Sequence, residues 1–232
     1  MTTVNAAAES DRKAQPIAIK FVGATDLRFR AFVQRATSEV LSFSRTHRLK
    51  ILRQEDIVET VVHYESKAEF DKMISAQPSW PKGVIVPTTY AGVGLKKEFH
   101  VVSLEAYRRM HPADTEEDYL KLLVHELTHL LHIAVLDGRE DDMGPIWFFE
   151  GLACFAADQY SKSPKLPRQR IDEILGDTNR GSYADYAAML RGLVKKESVA
   201  DLIKKASAKD FSEWAKRALT EAGKQNDRMQ ND

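Results

Sequence analysis

The sequence predicts an α+β fold in which an N-terminal mixed β-sheet with helices packs against a helical C-terminal lobe, leaving a cleft between them. Three observations lead there. Short β-branched, partly alternating runs recur up to about residue 105. From about residue 115 the apolar positions shift to helical spacing. Hydrophobic residues make up 43% of the chain and charged residues 29%, enough to bury a core while keeping a polar surface.

Taken in order, residues 1–15 are rich in Ala, Ser and charge and read as a flexible arm. Ile17 to Val22 reads as a strand closed by Gly23. Residues 26–45 place Leu27, Phe29, Phe32, Val33, Ala36, Val40, Leu41 and Phe43 mostly on one helical stripe. Ile57 to Tyr64 is a second strand. Ser66 to Ile74 is a second helix, with Ser66 and Glu69 spaced as a capping box. After the turn-rich stretch 78–87, Thr88–Tyr90 leads into a turn at Ala91-Gly92-Val93-Gly94, and Glu98 to Leu104 returns as a strand.

In the second half, Asp114 or Thr115 caps a helix that runs to Leu136 and stops at Asp137-Gly138. Another helix is expected from Ile146 to Tyr160, then a linker over 161–167. Further helices follow at 168–176, 183–196, 198–206 and 210–223, and a polar tail over 225–232. The reading is one domain over 16–224, divided into an α/β lobe (16–105) and a helical lobe (106–224).

Composition narrows the function classes. With 34 basic and 34 acidic residues the chain lacks the basic excess of a nucleic-acid or anionic-membrane binder. No run reaches the roughly 20 apolar residues of a membrane span. The single cysteine, Cys154, permits no intramolecular disulfide. A cytoplasmic protein is the default expectation, or an exported one whose leader has been removed. A monomer is the default assembly.

One motif carries chemistry. Val124-His125-Glu126-Leu127-Thr128-His129 is an HExxH pattern inside a predicted helix. Residues four apart on a helix differ by about 40° around the axis, so both imidazoles project from one side, one turn apart. They can share one metal ion. Glu126, about 100° from His125, flanks such an ion without binding it, where a general base acting on water belongs. Leu122, Leu123, Val124, Leu127, Leu130 and Leu131 surround the motif. Polar groups buried among leucines cost free energy unless partnered, and a metal is such a partner. Twenty-one residues after His129, Trp147-Phe148-Phe149-Glu150-Gly151-Leu152-Ala153 sets Glu150 in a second apolar helix. His125, His129 and Glu150 plus water make an established catalytic zinc set, one ion per chain.

The two segments together resemble the zinc core of the gluzincin metallopeptidases, the zincin-like clan of thermolysin and the zinc aminopeptidases. The W-x-x-E-G-x-A pattern after HExxH is especially similar to the smaller bacterial peptidase-MA-like domains. The likeness spans about residues 88–200. It implies that His125, His129 and Glu150 are zinc ligands, that Glu126 is the base, and that a peptide or protein is the substrate. It also sets the strand from Glu98 to Leu104 in the position of the clan's substrate-binding edge strand, although an ordinary sheet strand fits as well. Tyr183 and Tyr186 open a stretch similar to the clan's Y-x-x-A-x-x-L helix, so either could stabilise an oxyanion or simply pack.

The sequence departs from that pattern where thermolysin-like enzymes have an Asp orienting a ligand histidine, four residues after the third ligand. Here Cys154 stands there, as a small buried residue or one that approaches the metal, with Asp158 a turn further on. His132 is not a third histidine ligand of the metzincin kind, since the glycine and final histidine of that pattern are His132 and Val135. It is expected at the surface or behind the ligands. His47, His63, His100 and His111 have no ligand spacing. The activity expected is zinc-dependent hydrolysis of peptide bonds. A catalytically weak or inactive zinc-binding scaffold, or a zinc hydrolase of a non-peptide amide, are the alternatives.

Overall fold

A computed structural model of the chain describes residues 19–23, 26–50, 52–78 and 80–220. The arm, the polar tail, and the ends of the first strand and last helix lie outside the described residues. Among the described residues four strands form one mixed sheet: β1 (Lys20–Val22), β2 (Thr60–Tyr64), β3 (Gly92–Leu95) and β4 (Glu98–Val102), in the order β1-β2-β4-β3. The first three strands in that order run parallel, and β3 pairs antiparallel to β4. Ten α-helices accompany the sheet among the described residues: α1 (Leu27–Thr46), α2 (Gln54–Ile57), α3 (Lys67–Ser75), α4 (Leu104–Met110), α5 (Glu116–Val135), α6 (Ile146–Ala156), α7 (Arg168–Gly176), α8 (Tyr183–Leu193), α9 (Val199–Lys205) and α10 (Phe211–Thr220). The fold class is α+β, as expected. No helix among the described residues is long and apolar enough to cross a membrane.

Helix α5 is the axis of the molecule, and its N-terminus shows why it starts where it does. Thr115 Oγ1 accepts from the Asp118 amide at 3.3 Å, and Asp118 Oδ2 accepts from the Thr115 amide at 2.8 Å. This reciprocal cap is reinforced by Glu116 and Glu117, which favour the positive end of the helix dipole. Tyr119, fully buried, donates to the Val102 carbonyl at 2.7 Å and so pins α5 beneath β4. One buried cluster runs from Phe29 of α1 through α5 and α6 to Ala215 of α10.

Several boundaries differ from the sequence expectation, each for a local reason. Residues 54–57 are helical, since Asp56 Oδ2 accepts from the Arg53 amide at 2.7 Å; the strand begins only at Thr60. Residues 92–94, expected as a turn, are strand β3, and the reversal falls at Lys96, whose φ is +57°. The glycines mark close packing instead of a bend: a Cβ on Gly92 would lie 3.0 Å from Glu126 Cγ, and one on Gly94 2.7 Å from Leu130 Cδ2. Strand β4 therefore sits inside the sheet, between β2 and β3. The edge strand over α5 is β3, which corrects the placement of Glu98–Leu104 at the edge. Ser103 ends β4 and caps α4, its Oγ accepting from the Ala106 amide at 3.1 Å.

Candidate metal centre

Helices α5 and α6 bring the three expected ligands together. His125 Nε2 lies 3.1 Å from Glu150 Oε2 and 3.2 Å from His129 Nε2, and His129 Nε2 lies 3.5 Å from the same carboxylate oxygen. Four-coordinate binding with bonds of about 2.0–2.1 Å separates ligand atoms by roughly 3.3 Å. The observed triangle has that size. Both His125 and Glu150 are buried, at 6% and 1% exposure, and His129 is partly open. Among the described residues Glu150 Oε1 has no hydrogen-bond donor; the Arg180 guanidinium meets it as an ion pair without an aligned hydrogen bond. Two imidazole nitrogens facing one another beside an incompletely satisfied buried carboxylate suit a cation. The cluster can hold a metal ion.

Gly151 explains how Glu150 gets so deep. A Cβ there would lie 2.7 Å from the Tyr186 carbonyl oxygen, so only glycine lets α6 close against α8. The apolar neighbours Trp147, Phe148 and Leu152 bury the rest of that helix.

Behind the ligands, His125 Nδ1 meets Gln159 Oε1 at 2.9 Å. With Nδ1 donating to that oxygen, the Nε2 lone pair points at His129 and Glu150. Sequence reasoning missed Gln159. Helix α6 ends at Ala156, short of the expected Tyr160, and Asp158 and Tyr160 take left-handed φ values of +48° and +52°. That irregular turn swings Gln159 back against His125, while the Asp158 carbonyl accepts from Lys121 Nζ at 3.1 Å. Cys154 Sγ sits 3.8 Å from His125 Nδ1, the ring edge away from the ligand triangle, so it does not approach the metal position.

The electrostatics differ between the two histidines. Burial and the neighbouring His125 push His129 down to about 3, which keeps it neutral and able to ligate. For His125 burial acts downward, but the contacts to Cys154, Glu126 and Gln159 outweigh it and raise the ring above its usual value. His132 is not at the surface. It is 1% exposed, neither ring nitrogen has a partner among the described residues, its ring stands edge-on to Phe148, and burial pushes it down to about 3.

Glu126 is partly exposed under β3, beside Gly92. Tyr90, at the entrance to β3, is another residue the sequence reading passed over; burial first and the Glu126 charge second raise its hydroxyl pKa. The two candidate tyrosines separate clearly. The ring of Tyr183 lies 5.9 Å from that of His125, and its hydroxyl accepts from Arg180 Nη1 at 3.1 Å. The Tyr186 hydroxyl instead accepts from the Gly181 amide at 2.6 Å and donates to the Asn179 carbonyl at 3.3 Å. Tyr186 clamps the loop before α8 and does not present its hydroxyl to the ligands.

No family model matches the chain, no curated protein matches it, and no solved structure matches it.

Proposed function

We propose that this chain is a zinc-dependent metallopeptidase of the gluzincin type, with His125, His129 and Glu150 holding one zinc ion and Glu126 acting as general base. The observation that carries the reading is the ligand triangle, with separations of 3.1, 3.2 and 3.5 Å that suit tetrahedral coordination. Two imidazoles and one carboxylate are a donor set that suits zinc and leaves a fourth position for substrate chemistry.

Zinc in such a set supplies Lewis acidity, acidifying water and polarising a carbonyl. The chain's own groups do the rest. Glu126 takes a proton from the attacking water and returns it to the leaving amine. Tyr183, whose hydroxyl accepts from Arg180, keeps its own proton free to donate to the developing oxyanion. The side of β3 that pairs with no strand among the described residues receives the substrate backbone as an added strand, above the helix that carries Glu126.

The test is a Glu126→Gln variant beside the wild type. Retained zinc with hydrolysis of peptide substrates reduced by several orders of magnitude supports the reading; retained zinc with full hydrolysis overturns the role of Glu126. A second reading, a zinc-bound scaffold of little activity, draws support from Gln159, a neutral group where a carboxylate would make His125 a stronger ligand. It predicts zinc binding with no hydrolysis in either protein. Turnover of non-peptide amides alone would instead support the amide-hydrolase alternative.

A further inference from the structure

Among the described residues Arg180 is the Arg or Lys that pairs with a ligand, and its position is built from both sides. It lies on the loop between α7 and α8. The buried Tyr186 holds the backbone on either flank, through Asn179 and Gly181, and Asn179 donates from its own amide to Asp177 Oδ1 at 2.8 Å. From there the guanidinium crosses the Phe149 ring, 5.8 Å from its centroid, touches the Tyr183 hydroxyl and pairs with Glu150. Glu150 is its one carboxylate partner among the described residues.

If Glu150 is a zinc ligand, that pairing cannot persist unchanged. A dication held by His125, His129 and Glu150 Oε2 takes up much of the carboxylate charge and repels a guanidinium at the neighbouring Oε1. The clamped loop keeps Arg180 beside the site, so the guanidinium stays there in need of an anion. Glu126 is the other carboxylate at hand, but among the described residues it forms no ion pair with Arg180, which meets Glu150 alone. The remaining source is the substrate. A guanidinium presents a planar fork of donors that matches a carboxylate in bidentate fashion, a fit that an ammonium lacks.

We propose that Arg180 is a specificity-determining residue that binds a carboxylate of the substrate beside the scissile bond, supplied by a free C-terminus or by an acidic side chain. This inference rests on the metal-site reading given above.

The experiment uses the full chain carrying Glu126→Gln, so that binding is measured without turnover, alone and combined with Arg180→Gln or Arg180→Lys. Arg180 is 56% exposed, so neither change threatens the fold. Zinc titration comes first. Removing the competing guanidinium with Arg180→Gln is expected to tighten zinc binding about fivefold or more; unchanged or weaker binding overturns the competition argument. The zinc-loaded proteins are then titrated with acetyl-Ala-Ala-Phe bearing a free carboxylate, with its C-terminal amide, and with amidated acetyl-Ala-Glu-Phe and acetyl-Ala-Gln-Phe. A preference of about tenfold or more for one carboxylate probe over its neutral twin, lost in Arg180→Gln and reduced in Arg180→Lys, supports the proposal. Preference within the first pair assigns a C-terminal carboxylate, and within the second an acidic side chain. No carboxylate preference, or equal weakening of neutral and acidic probes by Arg180→Gln, overturns it. Failure of every protein to bind zinc removes the metal-site reading and this inference together, whereas zinc binding without carboxylate preference removes this inference alone.

Discussion

Gln159 Oε1 lies 2.9 Å from Nδ1 of His125, and this contact turns the opposite nitrogen of the ring toward His129 and Glu150. Gln159 lies nine residues after Glu150, a spacing that draws no notice in the sequence, yet it sets the tautomer. Gln159→Leu is expected to weaken zinc binding by roughly 10–100-fold, the cost typical of removing a partner that orients a metal-bound histidine. Gln159→Glu is expected to match or tighten it. Competition titrations with a chelating dye check both values.

Gly92 and Gly94 separate two effects of the same crowding. Gly94→Ala drives a methyl group into the Leu130 side chain and is expected to cost about 1–3 kcal/mol of stability, read from denaturant midpoints. Gly92→Ala meets the stem of Glu126 at 3.0 Å. Its expected result is a larger loss in kcat than in stability, with zinc stoichiometry unchanged.

The tyrosines divide in the same way. Tyr183→Phe is expected to lower kcat by about 10²-fold with little change in zinc binding, because it removes a donor from the developing charge. Tyr186→Phe leaves the Gly181 amide and Asn179 carbonyl without their partner. It is expected to act on the Arg180 loop, and so on KM. Steady-state kinetics of the two variants on one peptide substrate checks the split.

His132 gives the fold an acid sensitivity with a definite sign. Its ring is held neutral, at about 3 when folded against about 6.5 when unfolded. Between those values the unfolded chain binds the extra proton, so this contribution is complete above pH 6.5 and is lost as pH falls toward 3, at most about 1.4 kcal/mol per pH unit. His132→Leu removes that dependence along with two unpartnered buried nitrogens. In the presence of chelator, the variant is expected to lose less stability than the wild type between pH 7 and pH 5. An identical pH slope would contradict the assignment.

What could be read from the sequence depended on whether a feature was set by local geometry. The convergence of His125 and His129 follows from four-residue spacing on a helix whose cap, Thr115 with Asp118, is itself local. Glu150 stood out as a carboxylate amid aromatic and aliphatic neighbours. Gln159 was not legible, because its position depends on where α6 stops and on left-handed turns at Asp158 and Tyr160. Gly92 and Gly94 were read as a turn because one sequence cannot separate a glycine that bends the chain from one that admits a neighbouring helix. For His132 the sequence leaves two places open, the surface or behind the ligands, and only the packing of α5 against Phe148 decides for the interior. Arg180 sits in a loop whose path is set by Tyr186 from the next helix, a tertiary contact with no spacing rule.

The most direct test of the central claim is the zinc content of the purified chain, measured beside His129→Ala and Glu150→Ala. About one zinc per wild-type chain is expected, lost or sharply weakened in both variants. A wild-type chain that takes up no zinc when zinc is offered would contradict the claim.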